Sequence, residues 1–406
     1  MNTLTAPASG PASRSPALTT NETLQRLAAR ARQTGTLAID TEFIGEGRYR
    51  TELCLVQVAV DAEQDGEPAW TELIDPFDRE IDPAPIVELI DDPEIEIIVH
   101  AGRQDIALLR RLWHAHPRNC FDTQVAAAFA GLRAQIGYEA LLRDLLKVQL
   151  DKGASFSHWD ARPLSEEQQR YARGDVLHLG EVATVLKQRL DERGRLDWAR
   201  EECLPLEEST DERDVDLIFA KLPKINALSA DQRATAHALV VWREECADLE
   251  DKPVQKVLAD AAIVEIAGRQ PTDERQLRDL RGVHDGIARR RGDAIVRVVI
   301  DAADDRPIPA ERRSRTQTDA GDAALIVLAE SLVRACAVRE DLAYELLATR
   351  SDLQAVVSAV RSGSPDPDVR TLRGWRRAVV GDELLALLRG QRSLRIDDQL
   401  RVVVGE

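Results

Sequence analysis

Four acidic residues and one tyrosine carry the clearest chemistry in this chain. They are Asp40 and Glu42 in Asp40-Thr41-Glu42, Asp105 in His100-Ala-Gly-Arg-Gln-Asp105, and Tyr171 with Asp175 in Tyr171-Ala-Arg-Gly-Asp175. Asp40 and Glu42 stand two apart at the end of an apolar run, so on an extended strand alternation sets both on one face. One carboxylate there can bridge two cations while its neighbour binds one. Hard ions such as Mg²⁺ or Mn²⁺ favour carboxylate oxygen and keep several waters, so few protein ligands suffice. Two such ions about 3.5 to 4 Å apart stabilise both the attacking and the leaving oxygen of an in-line displacement at phosphorus.

Tyr171 and Asp175 stand four apart and are neighbours on one helical face. Asp175 completes the site of the cation that activates water, and the Tyr171 hydroxyl holds that water. A phenol with an ordinary pKa of about 10 is a poor base, which makes orientation its role. Asp105, one turn into a helix, serves the second cation directly or through water. Each fragment alone is a common surface feature; the order and context of all five make the signal specific.

The elements that must position these groups can be read from apolar patterning. Gly35 to Asp40, Glu52 to Val60 and Glu96 to His100 are short Val- and Ile-rich runs, predicting strands buried in a sheet core. Helical patterns cover Gln104 to His114, Asp122 to Phe129, Glu139 to Lys147, Ser165 to Arg173 and Val176 to Arg193. Residues 21–204 are therefore predicted to form an α/β domain, a mixed sheet flanked by helices. The first twenty residues read as a disordered tail without a secretory h-region. Glu201 to Asp214 reads as an acidic linker, followed by two all-α modules at residues 213–300 and 319–406 separated by a polar, Pro-containing break. The modules align on one another at an offset of 92, Asp260 on Asp352 and Leu280-Arg281-Gly282 on Leu372-Arg373-Gly374. A period this long means tandem domains and not a solenoid.

At 406 residues the chain exceeds one ordinary core. No apolar stretch is long enough to span a bilayer, so no membrane association is expected. Cys54, Cys120, Cys203, Cys246 and Cys336 form no C-x-x-C pair, which points to reduced thiols in a cytoplasmic protein. A net charge of −17 runs against nucleic-acid binding. Between Asp61 and Glu96, however, fourteen Asp and Glu stand against the single Arg79, so most of the acidity is local and avoids the motif segments.

The segments LAIDTEF (Leu37 to Phe43), LCLVQVAV (Leu53 to Val60), VHAGRQDIALL (Val99 to Leu109), FDTQVAAAF (Phe121 to Phe129) and SHWDARPLSEEQQRYARGDV (Ser157 to Val176) together resemble the ribonuclease D family of DEDDy exonucleases. The resemblance implies an RNase H-like exonuclease fold that removes nucleotides from RNA 3′ ends with two divalent cations. It carries the metal-ligand role to Asp40, Glu42, Asp105 and Asp175 and the water-orienting role to Tyr171. It also places Thr41 and Phe43 against the terminal nucleotide, although Phe43 reads equally as core packing. Asp122 or Thr123 is expected to cap the following helix, and Trp159 with Arg162 to fix the loop that delivers Tyr171.

Residues 213–300, through Trp242-Arg243, Val257 to Ala267, Pro271 and Leu280-Arg281-Gly282, resemble the helicase-and-ribonuclease-D C-terminal (HRDC) domain, and residues 319–406 its second copy. Arg289-Arg290-Arg291, Arg312-Arg313-Ser-Arg315 and the Arg370 to Arg377 segment are expected to make patch-wise RNA contacts, with Trp375 stacking on a base or else packed in a core. The combined expectation is a monomeric 3′→5′ exoribonuclease that releases nucleoside 5′-monophosphates from tRNA precursors or other structured RNAs, with no small-molecule cofactor. The alternatives are a DNA exonuclease using the same five residues and a non-catalytic RNA-binding scaffold.

Overall fold

The computed structural model describes residues 18–62, 67–150, 158–310 and 320–405. Most of the expected tail, Ser157 and the Arg312 to Arg315 cluster lie outside the described residues. By internal contacts the chain divides into one unit of residues 1–44, 53–210 and 324–406 and another of residues 45–52 and 211–323.

In the first unit, five strands form a sheet: β1 (Thr36–Ile44), β2 (Glu52–Val60), β3 (Trp70–Ile74), β4 (Glu96–Val99) and β5 (Cys120–Asp122), in the order β3-β2-β1-β4-β5. It is mixed: β1 runs parallel to β4 and β4 to β5, while β2 and β3 are antiparallel. The three apolar runs became β1, β2 and β4. The polar-flanked β3 and the three-residue β5 escaped the sequence reading because neither has a long apolar run.

Helices α1 (Asn21–Thr34), α2 (Ala84–Asp91) and α3 (Arg103–Trp113) cover one face, burying Leu24, Leu27, Ile86, Leu89, Ile106 and Leu109 against Leu37, Ile39, Val58 and Ile97 of the sheet. The other face is covered by α4 (Thr123–Phe129), α5 (Tyr138–Leu145), α6 (Glu166–Leu177), α7 (Leu179–Glu192) and α8 (Leu196–Glu207). There Ala38, Ala59 and Ile98 meet a core that includes Phe129, Leu142, Val176 and Leu186. Two boundaries differ from the sequence reading. The break after Arg173 does not exist, because α6 runs on through Gly174 to Leu177 and ends at His178, so Tyr171 and Asp175 share one helix. The linker is shorter than expected, since α8 carries Pro205 within its last turn and reaches Glu207.

The second unit contains α9 (Val215–Ala220), α10 (Ala230–Glu250), α11 (Val254–Val257), α12 (Asp260–Arg269), α13 (Glu274–Arg278) and α14 (Asp285–Asp301) around an apolar core of Leu239, Ile263, Ile266, Leu277 and Ile295. Arg243 is fully buried within it; it pairs with Glu244 at 3.0 Å and Asp260 at 2.5 Å, and Glu244 also receives Arg213. The terminal segment belongs to the first unit and repeats the pattern: α15 (Ala320–Glu340), α16 (Tyr344–Leu347), α17 (Arg350–Ser362), α18 (Gly374–Arg376) and α19 (Asp382–Leu388). It ends on a hairpin, β6 (Ser393–Ile396) and β7 (Val402–Gly405), that helical periodicity does not predict.

The internal repeat is present in the folded elements, with a corrected register. Helices α15, α16 and α17 begin 90 residues after α10, α11 and α12. Buried Ile263, Ile266 and Ala267 then correspond to buried Leu353, Val356 and Val357. The offset of 92 applies only from Leu280-Arg281-Gly282 onward, where Gly282 and Gly374 both adopt positive φ.

Trp375 is core and not a stacking platform. It is 4% exposed, stacks on Trp198 with centroids 5.2 Å apart and meets the edge of Phe129 at 5.0 Å. The surrounding arginines are occupied as well: Arg370 pairs with Asp352, Arg373 with Asp368, Arg376 with Glu202 and Arg377 with Asp382. We expect Trp375→Ala to cost about 3 to 5 kcal/mol, as large-to-small core substitutions do. A lowered midpoint in urea unfolding of the full chain would show this; an unchanged midpoint would place Trp375 outside the core.

Candidate metal centre

Strand β1 supplies the first two carboxylates. Ala38 faces the core beneath α4 to α8, and alternation places Asp40 and Glu42 beyond it on the same side, while Leu37, Ile39 and Thr41 turn to the opposite face. Helix α6 supplies Asp175. Its start is fixed by a capping box in which the Ser165 hydroxyl accepts from Gln168 N at 3.1 Å and Gln168 accepts from Ser165 N at 2.9 Å. The loop before it is clamped by Arg162, which donates to the Asp75 carboxylate at 2.6 and 2.7 Å and to Cys54 O and Trp159 O at 2.7 Å. Trp159 is buried beside Leu164 and Ala172, so the loop-fixing reading of both residues holds.

Asp105 enters on the first turn of α3. The preceding turn needs a positive φ at Ala101 and has no room for a side chain at Gly102, where a Cβ would lie 2.5 Å from Val99. Asp122 holds that turn by accepting from Ala101 N at 2.9 Å and Gly102 N at 3.1 Å, and the same carboxylate caps α4 through Gln124 N at 2.8 Å. Sequence reasoning found only the capping half of this role. His100 is structural, engaged with Thr123 Oγ1 at 2.9 Å and Ile136 O at 3.1 Å.

Ligand oxygens of Asp40, Glu42 and Asp175 lie within 4.8 Å of one another, and all three residues are half-buried. Asp105 is close enough for its charge to act on Asp40 and Glu42 but stands outside this trio, its carboxylate accepting from the Thr41 hydroxyl. Tyr171 hydrogen-bonds Asp175 and tilts against Trp159 with centroids 6.1 Å apart. Phe43 is 39% exposed and so is not core packing. Tyr138, which the motif reading passed over, brings a buried hydroxyl within the field of Asp175 and Asp40.

Removal from water and mutual repulsion act together on these acids. Asp40 is held well above the ordinary carboxylate value by burial first, then by the charges of Asp105, Asp175 and Glu42. Glu42 is pushed up to about 8 by burial and then by Asp175 and Asp105. Burial raises Asp175 to about 7 and Asp105 to about 6, against the hydrogen bonds from Tyr171 and Thr41. Among the described residues no Arg or Lys pairs with Asp40, Glu42 or Asp175. Such uncompensated oxygen donors are the set a hard divalent cation takes, and these residues fit it.

A mixed sheet with acidic groups from its first strand and from two flanking helices, one of them beside a tyrosine, makes a site able to take divalent cations and to act on phosphate esters. Residues 16–191 match the family model described as 3′-5′ exonuclease, and residues 232–299 match that of the HRDC domain. The chain is 36% identical over 384 residues to ribonuclease D of Gluconacetobacter diazotrophicus, covering 94% of each protein. Ribonuclease D of Granulibacter bethesdensis is likewise 36% identical over 385 residues, covering 94% of each. The crystal structure of Escherichia coli RNase D, 25% identical, aligns with a TM-score of 0.77 over 92% of this chain and 98% of that one. This chain belongs to the ribonuclease D family and is a 3′→5′ exoribonuclease.

The raised carboxylates give the metal-free protein a pH dependence of definite sign. Their unfolded pKa values are about 4, so between pH 4 and 8 the folded state binds more protons than the unfolded chain. Stability from these groups is fully present below about pH 4 and is lost as pH rises through about 6 to 8. In EDTA the melting temperature should fall between pH 5.5 and 8, and Asp40→Asn should recover on the order of 1 kcal/mol at pH 8. An Asp40→Asn protein less stable than wild type at pH 8 would contradict the repulsion described here.

Proposed function

We propose that Asp40, Glu42, Asp105 and Asp175 hold two divalent cations, Mg²⁺ or Mn²⁺. With them the enzyme releases nucleoside 5′-monophosphates one at a time from the 3′ ends of tRNA precursors and other structured RNAs. The carrying observation is the trio of carboxylates within 4.8 Å with no basic partner among the described residues. When bound, the cations lower the pKa of water and offset charge on the phosphoryl oxygens. Asp40, on which the charges of the other three acids all act, would be shared between the cations, with Glu42 and Asp175 holding the one that activates water and Asp105 the one on the leaving-group side.

Tyr171 is raised above its ordinary pKa by burial and then by Asp175, Glu42 and Asp40, so it keeps its proton at neutral pH. Its one O–H is donated to Asp175, which leaves the phenol oxygen to accept from the attacking water and orient it without taking its proton. The exposed Phe43 ring is free to stack on the terminal base, worth about 1 to 3 kcal/mol. The Thr41 hydroxyl is engaged with Asp105, which leaves the Thr41 backbone to meet the nucleotide.

We read residues 21–204 as the exonuclease domain, 213–300 as the HRDC domain and 319–406 as its second copy, supported by the common helix pattern and register. In the first helical domain Arg281, Arg289, Arg290 and Arg297 are exposed and pair with no carboxylate among the described residues. Those arginines, and not the occupied Arg370 to Arg377 cluster, are the phosphate contacts. All five site residues come from one chain, so a monomer suffices. The five free cysteines fit a reducing cytoplasm. No helix among the described residues is long and apolar enough to cross a membrane.

Digestion of a 5′-labelled tRNA precursor tests the reading. Wild type with Mg²⁺ should give a ladder shortening from the 3′ end, an equivalent DNA should be degraded more slowly, and Asp40→Asn should lose at least about 100-fold in rate. Undiminished activity of Asp40→Asn, or of wild type in excess EDTA, would overturn it.

A further inference from the structure

We propose that the Thr41 hydroxyl is a positioning group for the metal centre, fixing the Asp105 carboxylate so that its free oxygen is presented to the leaving-group cation. The inference rests on the two-cation reading above and extends it to a residue that the motif reading placed against the nucleotide.

Strand alternation separates Thr41 from the two acids that flank it. Asp40 and Glu42 point to one face of β1, and Thr41 between them points to the other, the face packed by α3. Leu37 and Ile39 precede Thr41 on that face, and α3 seats Ile106 and Leu109 in the same core. Asp105 is thus the ligand that arrives from the opposite side of the sheet. It is 7% exposed, while Thr41 is 5% exposed, so water cannot readily replace either partner. The Thr41 Oγ1 donates to Asp105 Oδ1, which joins the two sides of the strand through one residue.

An unheld aspartate has two side-chain torsions to fix when a cation arrives, whereas one oxygen tied to a rigid strand leaves the other aimed. Groups that orient a metal ligand in this way are worth about 10- to 100-fold in metal affinity. Three other restraints, Asp122 on the preceding turn, Gly102 and the α3 core contacts, fix the backbone of Asp105. The carboxylate itself also meets the backbone N–H groups of Thr41 and Asp105, and among the described residues the Thr41 hydroxyl is the side-chain group hydrogen-bonded to it.

The test is Mn²⁺ binding to the full chain, measured by calorimetry and by the free-Mn²⁺ electron paramagnetic resonance signal. Wild type, Thr41→Val, Thr41→Ser, Thr41→Ala and Asp105→Asn are compared, each checked for folding by its melting transition in EDTA. Wild type should bind two Mn²⁺. Thr41→Val, which keeps the volume, and Thr41→Ala should weaken one of the two sites by about 10- to 100-fold and leave the other unchanged, as Asp105→Asn should more severely. Thr41→Ser should bind like wild type. If Thr41→Val binds both ions as wild type does while Asp105→Asn loses one, the role given to Thr41 is wrong. If wild type binds fewer than two ions, or Asp105→Asn is without effect, the two-cation reading itself fails.

Discussion

Uncompensated negative charge is the constraint on which the rest of this molecule depends. Three carboxylates with ligand oxygens within 4.8 Å, a fourth close by and no basic partner among the described residues are an unstable arrangement in a half-buried site. Repulsion of this kind favours any rotation or backbone shift that separates the acids. The surrounding structure must therefore be stiff, and the restraints in the first unit converge on the three segments that carry them.

Each segment is fixed by a different device. Strand β1 is held between β2 and β4 within the sheet. The turn before α3 combines a positive φ, a glycine with no space for a Cβ and an aspartate that accepts two backbone amides. The α6 helix is fixed at its start by the Ser165 box and by Arg162, whose guanidinium is engaged by Asp75 and two carbonyls and not by the clustered acids. That separation is necessary, because an arginine paired with the cluster would occupy the place of a cation. The same logic explains why tyrosine, and not a base, stands beside Asp175: a phenol in this field keeps its proton and adds no further negative charge.

The sequence carried the site more completely than the fold. Asp40, Glu42, Tyr171 and Asp175 were legible because their spacings of two and four each imply one face of a strand or helix, and the structure has them on β1 and α6. The apolar β1, β2 and β4 were legible for the same reason, whereas β3 and β5 are defined by their neighbours and carry little pattern of their own. What stayed hidden were the tertiary pairings. That Thr41 donates to Asp105, that Asp122 grips the turn of α3 and that Arg162 reaches Asp75 across 87 residues are long-range facts with no local signature. Trp375 shows the converse error: an aromatic among arginines reads as an RNA contact, but the arginines are satisfied by Asp352, Asp368, Glu202 and Asp382 and the ring fills a core.

The central claim is that this cluster holds protons in the place of cations and exchanges one for the other. With Glu42 pushed up to about 8 and Asp175 to about 7, part of the cluster is protonated at neutral pH until metal arrives. The most direct measurement is calorimetric titration of the full chain with Mn²⁺ at pH 7 in two buffers of different ionisation enthalpy. The account predicts net proton release on binding, falling away in the same experiment at pH 9. Mn²⁺ binding with no proton released at pH 7 would contradict it.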